Sequence, residues 1–160
     1  MRYHRSGCPI NLTLEAFGDR WCLIILRDMM FGGRPRSFRS LLAGNLEGIA
    51  TNILADRLHR MVANGLLVRA GDEGHKQRVI YRLTAKSIEL VPLMAVLGSW
   101  GMRHSTASDA LSVRSRLLEL GGPEIWIEFM NELGHIHLGL PKPKSSPLEQ
   151  MQASIESAQA

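Results

Sequence analysis

"NILADRLHRMVANGLLVRAGDEGHKQRVIYRLT", Asn52 to Thr84, holds three structural elements in succession. Leu54, Leu58, Met61 and Val62 recur at helical spacing, so one face of the first element is buried and the opposite face is polar. Gly65 ends that helix, because the left-handed residue that closes a helix is most easily a glycine. "LLVRA" (66–70) and "RVIYRLT" (78–84) then read as strands rich in β-branched and apolar side chains. The polar "GDEGHKQ" (71–77) joins them as a hairpin.

Upstream, Pro9 suits the first position of a helix over Ile10–Phe17 with Cys8 at its N-cap. Asp19 is a good N-cap for Arg20–Phe31, whose Trp21, Cys22, Ile24, Ile25, Leu26, Met29 and Met30 imply deep burial. Gly32-Gly33 and Pro35 break it. Ser37 caps a third helix, "FRSLLAG", with Phe38, Leu41 and Leu42 inward. Downstream, Thr84 is a cap candidate for "AKSIELVPLMAVLGSWGMRHS", bent at Pro92. Between Ile88 and Trp100 this helix is apolar on nearly every side, more than a monomer surface accommodates.

From about Ser105 the chain reads as a helical extension. "SDALSVRSRLLELGG" ends at Gly121-Gly122, and "PEIWIEFMNELG" places Ile125, Trp126, Phe129, Met130 and Leu133 on a broad face. "LPKPKSSP" is a linker. Ser146-Pro147-Leu148-Glu149 matches a capping box, followed by Leu148, Met151 and Ile155 at helical steps. The expected division is a domain over residues 1–104 and an extension over 105–160. The expected class is mainly α with a small β-hairpin. Four helices, a basic hairpin and a further helix give the outline of a winged helix-turn-helix.

Composition narrows the function. Hydrophobic residues make up 45% and charged residues 21% of 160, which is globular rather than disordered. No apolar run approaches the ~20 residues that span a bilayer, and "MRYHRSGCPI" lacks the apolar core of a signal peptide. The expectation is a cytoplasmic protein with no membrane partner. Two cysteines, too few for a disulfide framework, agree with a reducing compartment. The net charge of +4 favours a polyanionic partner.

"CPINLTLEAFGDRWCLIILRDMMFGGRPRSFRSLL", "GIATNILADRLHRMVANGLLVR" and "YRLTAKSIELVPLMAVLGSWG" together resemble the HxlR family of winged helix-turn-helix transcriptional regulators, from Cys8 to about Gly101. The marks are Cys8-Pro9, Gly18-x-x-Trp21, Ile25 to Arg27, Phe38, Leu54-x-x-Arg57-Leu58, Gly65-Leu66 and Tyr81 to Thr84. The resemblance implies a homodimeric DNA-binding repressor or activator that pairs through its N-terminal helix and the helix after the wing. Two positions depart from the family pattern. Ala50-Thr51 stands where many relatives have Ser-Pro, shifting or removing the N-cap hydroxyl, and Ser87 stands where a glycine is common.

With Leu54, Leu58 and Met61 inward, the base-reading face is Thr51, Asn52, Ala55, Asp56 and His59. Asn52 suits adenine, His59 guanine or phosphate, and Asp56 cytosine. Arg34, Arg36, Ser37, Arg39, Arg60, His75, Lys76 and Arg78 are candidates for phosphate and wing contacts, with His75 and Lys76 at the hairpin tip. Arg57 and Arg82 fit ion pairs better, and Ser37 doubles as a helix cap. The expected partner is double-stranded DNA carrying an inverted repeat, its half-sites ~34 Å apart.

Cys8, where a helix begins, is a candidate sensor of oxidants or electrophiles, since the helix dipole and the nearby Arg2, His4 and Arg5 favour a thiolate. The bland reading is an inert, half-buried cysteine. Cys22 reads as core. His135-x-His137 lacks a third ligand at zinc-like spacing, so no metal is expected. Trp126, Phe129 and Met130 suit helix packing at least as well as a small-ligand pocket. None of the motifs G-x-x-x-x-G-K, G-x-S-x-G or H-E-x-x-H occurs. The expectation is therefore a regulator responsive to oxidants or electrophiles through Cys8, or to a small-molecule effector, and not an enzyme, with no cofactor. The rival is a protein-interaction module on the same scaffold.

Overall fold

The computed structural model describes residues 6–72 and 75–159, without the side chains of 72–78 or of 158 and 159. It resolves two compact units, residues 1–84 and 85–160.

The first unit opens with α1 (Pro9–Phe17) and α2 (Arg20–Phe31). Asp19 accepts hydrogen bonds from the Trp21 and Cys22 amides, at 3.1 and 3.2 Å, and so starts α2. Cys22, Ile25, Leu26, Met29 and Met30 are buried along this helix, which makes it the centre of the unit's core. α3 (Phe38–Gly44) and α4 (Thr51–Ala63) follow. Ser37 and Ser40 cap α3 reciprocally, each amide donating to the other's hydroxyl. α4 sends Leu54, Leu58 and Met61 into the core, as the periodicity requires, while Val62 is half-buried. Gly65, at φ 71°, turns the chain into β2 (Leu67–Asp72).

β2 pairs antiparallel with β3 (His75–Leu83), and the short β1 (Arg36–Ser37) pairs with the other edge of β3 at Tyr81 and Ile80. Two expectations change here. A two-residue strand shows no periodicity, so β1 was invisible in the sequence. The hairpin strands also run further than their apolar residues, with Asp72 opposite His75 after a register shift at Gly71. Strand pairing satisfies backbone groups whatever the side chains. The turn residues Glu73 and Gly74 lie outside the described residues.

The second unit comprises α5 (Ala85–Ile88), α6 (Val91–His104), α7 (Asp109–Leu138) and α8 (Pro147–Gln159). The single bent helix expected after Thr84 is in fact two. Pro92 has no N–H to offer the Ile88 carbonyl, so the ladder stops and α6 starts anew with Pro92 in its first turn. α6 packs on α7 at a very close approach, since a Cβ on Gly98 would fall 2.4 Å from Ser115 Oγ.

α7 is broken at Gly122, whose φ of 57° and ψ of −150° are non-helical. The two halves correspond to the two helices read on either side of Gly121-Gly122. Leu118, Phe129 and Leu133 are buried along α7, and Met151 of α8 is buried as well. The buried Glu132 carboxylate reaches the N-terminus of α8. It accepts from the Leu148 amide at 2.9 Å and from the Ser146 hydroxyl. Ser146 in turn accepts from the Glu149 amide at 3.1 Å. Half of the expected capping box is thus present, with Glu132 of α7 supplying a carboxylate at this helix start.

A Cβ at Gly122 would meet nothing within 4 Å, so only the backbone opposes substitution there. Gly122→Ala should cost about 1–3 kcal/mol through its disallowed dihedrals, read as a lower urea midpoint with an unchanged slope.

Candidate nucleic-acid interface

The orientation of α4 decides which residues face solvent. Thr51, Asn52, Ala55, Asp56 and His59 are all exposed on the side away from Leu54, Leu58 and Met61. Two polar ties hold the helix in that rotation. Arg57 Nε donates to Asp19 Oδ1 at 2.8 Å, joining α4 to the start of α2. Asn64 Nδ2 donates to the Ala16 carbonyl at 2.9 Å, joining the end of α4 to α1. Arg57 also pairs with Asp56, so the carboxylate expected to read cytosine already has a cationic neighbour.

The turn between α3 and α4 is fixed from α2. Arg27 holds both Glu47 oxygens, at 2.5 and 2.8 Å, and also binds Asp28. Asn45 Nδ2 donates to Asp28 Oδ2 at 3.1 Å, while Asn45 Oδ1 accepts from the Ile49 amide at 2.9 Å. Gly48 supplies the positive φ in this turn. The Arg27 guanidinium holds the Glu47 carboxyl below its ordinary range. Arg27 stood out only as a mark of the family resemblance, and Asp28, Asn45 and Glu47 not at all, because the ties across to this turn span 17 or 20 positions.

Burial tends to raise the Asp19 pKa, but hydrogen bonds from Cys22 and Arg57 outweigh it and hold the carboxyl below its usual value. Burial, reinforced by the Asp19 charge, pushes the Cys22 thiol up to about 12. Cys22 is thus a neutral core thiol.

The phosphate candidates fall in different places. Arg34 and Arg39 are exposed and Arg60 is half-buried. Ser37 is buried with its hydroxyl committed to the α3 cap, so it offers nothing to a phosphate. The Arg36 guanidinium lies against Gly32, where its Nε is buried; it packs inward rather than outward. The side chains of His75, Lys76 and Arg78 lie outside the described residues, as do Arg2, His4 and Arg5. Cys8 is exposed at the start of α1. His135 Nδ1 donates to the Leu140 carbonyl at 2.7 Å. Among the described residues no three His, Cys, Asp or Glu side chains converge as metal ligands.

One feature beside α4 leaves no signal in the sequence. A mainly apolar groove of about 480 Å³ separates α3 and α4 from one face of the hairpin. Arg69 and Tyr81 line it from directly opposed positions on β2 and β3.

Two substitutions test the placement of α4. Ala50 is its N-cap and makes no side-chain cap bond, so the hydroxyl expected there is lost. Ala50→Ser should stabilise the protein by about 0.5–2 kcal/mol in urea unfolding. Asp19→Asn keeps a capping oxygen but discards the charge facing Arg57, and should cost about 1–3 kcal/mol at neutral pH. Because the folded pKa of Asp19 is depressed, its contribution is complete above the unfolded value of about 4 and is lost as pH falls through the lower folded value. The gap between wild type and variant should therefore close in acid.

The sequence pattern and the fold both recur in known proteins. The family model for HxlR-like helix-turn-helix proteins matches residues 16–109. The chain is 39% identical over 114 residues to the HTH-type transcriptional regulator Rv3095 of Mycobacterium tuberculosis, covering 71% of this chain and 70% of the relative. Among solved structures, PA1607, described as a candidate transcription factor, is 34% identical with a TM-score of 0.59, over 68% of this chain and 73% of that one. The redox regulator HypR in its oxidised form shares the fold, at 24% identity and a TM-score of 0.55, over 62% of this chain and all of that one.

Proposed function

The chain belongs to the HxlR-like helix-turn-helix family of transcriptional regulators, and from that premise we propose a homodimer that reads an inverted-repeat operator. The observation that carries this reading is the exposed row Thr51, Asn52, Ala55, Asp56 and His59 on a helix whose opposite face is locked into the core. In a winged helix-turn-helix such a row enters the major groove, and the hairpin reaches the adjacent backbone or minor groove. Arg34, Arg39 and Arg60, with His75, Lys76 and Arg78 on the wing, supply phosphate contacts in this proposal. DNA as partner puts the protein in the cytoplasm. No described helix is long and apolar enough to cross a membrane.

Exposed apolar side chains support the homodimer. Ile10 and Leu14 of α1 are 71% and 58% exposed, and Val96 and Trp100 of α6 are 54% and 60% exposed. Each helix offers a surface whose burial against a second copy would be favourable. Residues 1–104 form the DNA-binding and dimerising part in this reading, and 105–160 an extension that backs α6. Control of DNA binding by oxidants rests on Cys8, which is exposed at a helix N-terminus where its thiol is accessible.

Fluorescence anisotropy with DNA from upstream of the gene, across a salt series, tests the proposal. Wild type should bind tightly and lose affinity steeply with salt. Asn52→Ala should cost about 1–3 kcal/mol on the operator and little on unrelated DNA. Arg39→Ala should weaken binding to every sequence and reduce the salt slope by about 1. Oxidant should release the DNA from wild type but not from Cys8→Ser; release from both removes Cys8 from the scheme. Absence of any preference for the upstream DNA, at every salt concentration, would leave the interaction-module reading in its place.

A further inference from the structure

The geometry points to a binding site for a small aromatic carboxylate in the groove beside α4, whose occupant competes with DNA. The competition rests on the regulator reading; the binding does not. The groove's 480 Å³ falls within the ~300–1,000 Å³ usual for small-molecule sites. Phe38, Leu58, Val62 and Ala63 give it apolar walls that favour a flat ring over water. Arg69 lines the same groove beside Tyr81, its cross-strand partner on that face of the hairpin.

Charge selects the rest of the ligand. Among the described residues no carboxylate lines the groove, and none pairs with the exposed Arg69. A guanidinium is permanently charged and presents a planar fork that matches a carboxylate. DNA phosphate would satisfy that cation too, but it would leave the apolar walls unfilled. The groove is also lined by Ala55 and His59, two members of the exposed row on α4. A molecule seated there covers part of the surface that meets base edges, so ligand and DNA weaken each other reciprocally.

Isothermal calorimetry with 2-naphthoate and the full chain, without DNA, tests the site. Saturable binding at one site per chain is expected, at least about tenfold weaker for neutral 2-naphthamide and for Arg69→Ala, which both lose a charge-assisted hydrogen bond. Ala63→Leu, at the last residue of α4, fills the groove with a residue suited to helices and should also abolish binding. In anisotropy, naphthoate should displace wild type from DNA but not Ala63→Leu. The proposal is overturned by an absence of saturable binding, or by binding indifferent to both substitutions. It is equally overturned if Arg69→Ala weakens DNA of every sequence while naphthoate binding is unchanged, which would make the groove a seat for backbone phosphate. Naphthoate binding by a chain that binds no DNA would support the site and overturn only the regulator reading.

Discussion

One carboxylate oxygen holds α4 in place. Asp19 Oδ1 accepts from two amides at the start of α2 and from Arg57 of α4, so the cap of one helix is the anchor of the other. The positive end of the α2 dipole stabilises the charge, and that charge then orients the guanidinium. Turning α4 by one residue, about 100°, would break this tie and lift Leu58 out of the core. The polar row on the other side of α4 is thus fixed by two costs that act together. Neither the ion pair nor the apolar stripe alone would choose the rotation as sharply.

α2 performs a similar service at its other end. Arg27 and Asp28 reach across to Glu47 and Asn45 and set the turn that delivers α4. Loops are usually the softest part of a small domain, yet this one is tied on two sides and closed by the buried Ile49. The helix pair therefore behaves as one piece, and the surface it presents is preorganised before any partner arrives.

What could be read from the chain follows from the range of the forces involved. The bounds of α2 and α4 were legible because caps and apolar periodicity act within a few residues: Asp19 beside Trp21, Gly65 after Ala63, and Leu54, Leu58 and Met61 along one stripe. The outward row of α4 follows from the same stripe. β1 was hidden because strand pairing over two residues is a property of the partner strand. The split at Pro92 looks like a bend in the sequence, which shows the missing N–H but not whether neighbours can hold the helix together across it. Arg57 with Asp19, Arg27 with Glu47 and Glu132 with Leu148 join residues 16 to 38 positions apart. No local pattern announces such pairs. The groove escaped notice for the same reason, being assembled from α3, α4 and both hairpin strands.

The tight crossing at Gly98 bears on how proteins of this kind diverge. A side chain there would press on Ser115, so the close seat of α6 on α7 depends on the small residue at position 98. Its neighbours Val96, Leu97 and Trp100 point outward and carry no such restriction. They are free to exchange one apolar shape for another without disturbing the helices beneath. A cell that holds several related regulators must keep their subunits from mixing. In the homodimer proposed above, a rigid base under a variable outer face lets duplicated genes acquire separate pairing preferences while the base itself remains unchanged.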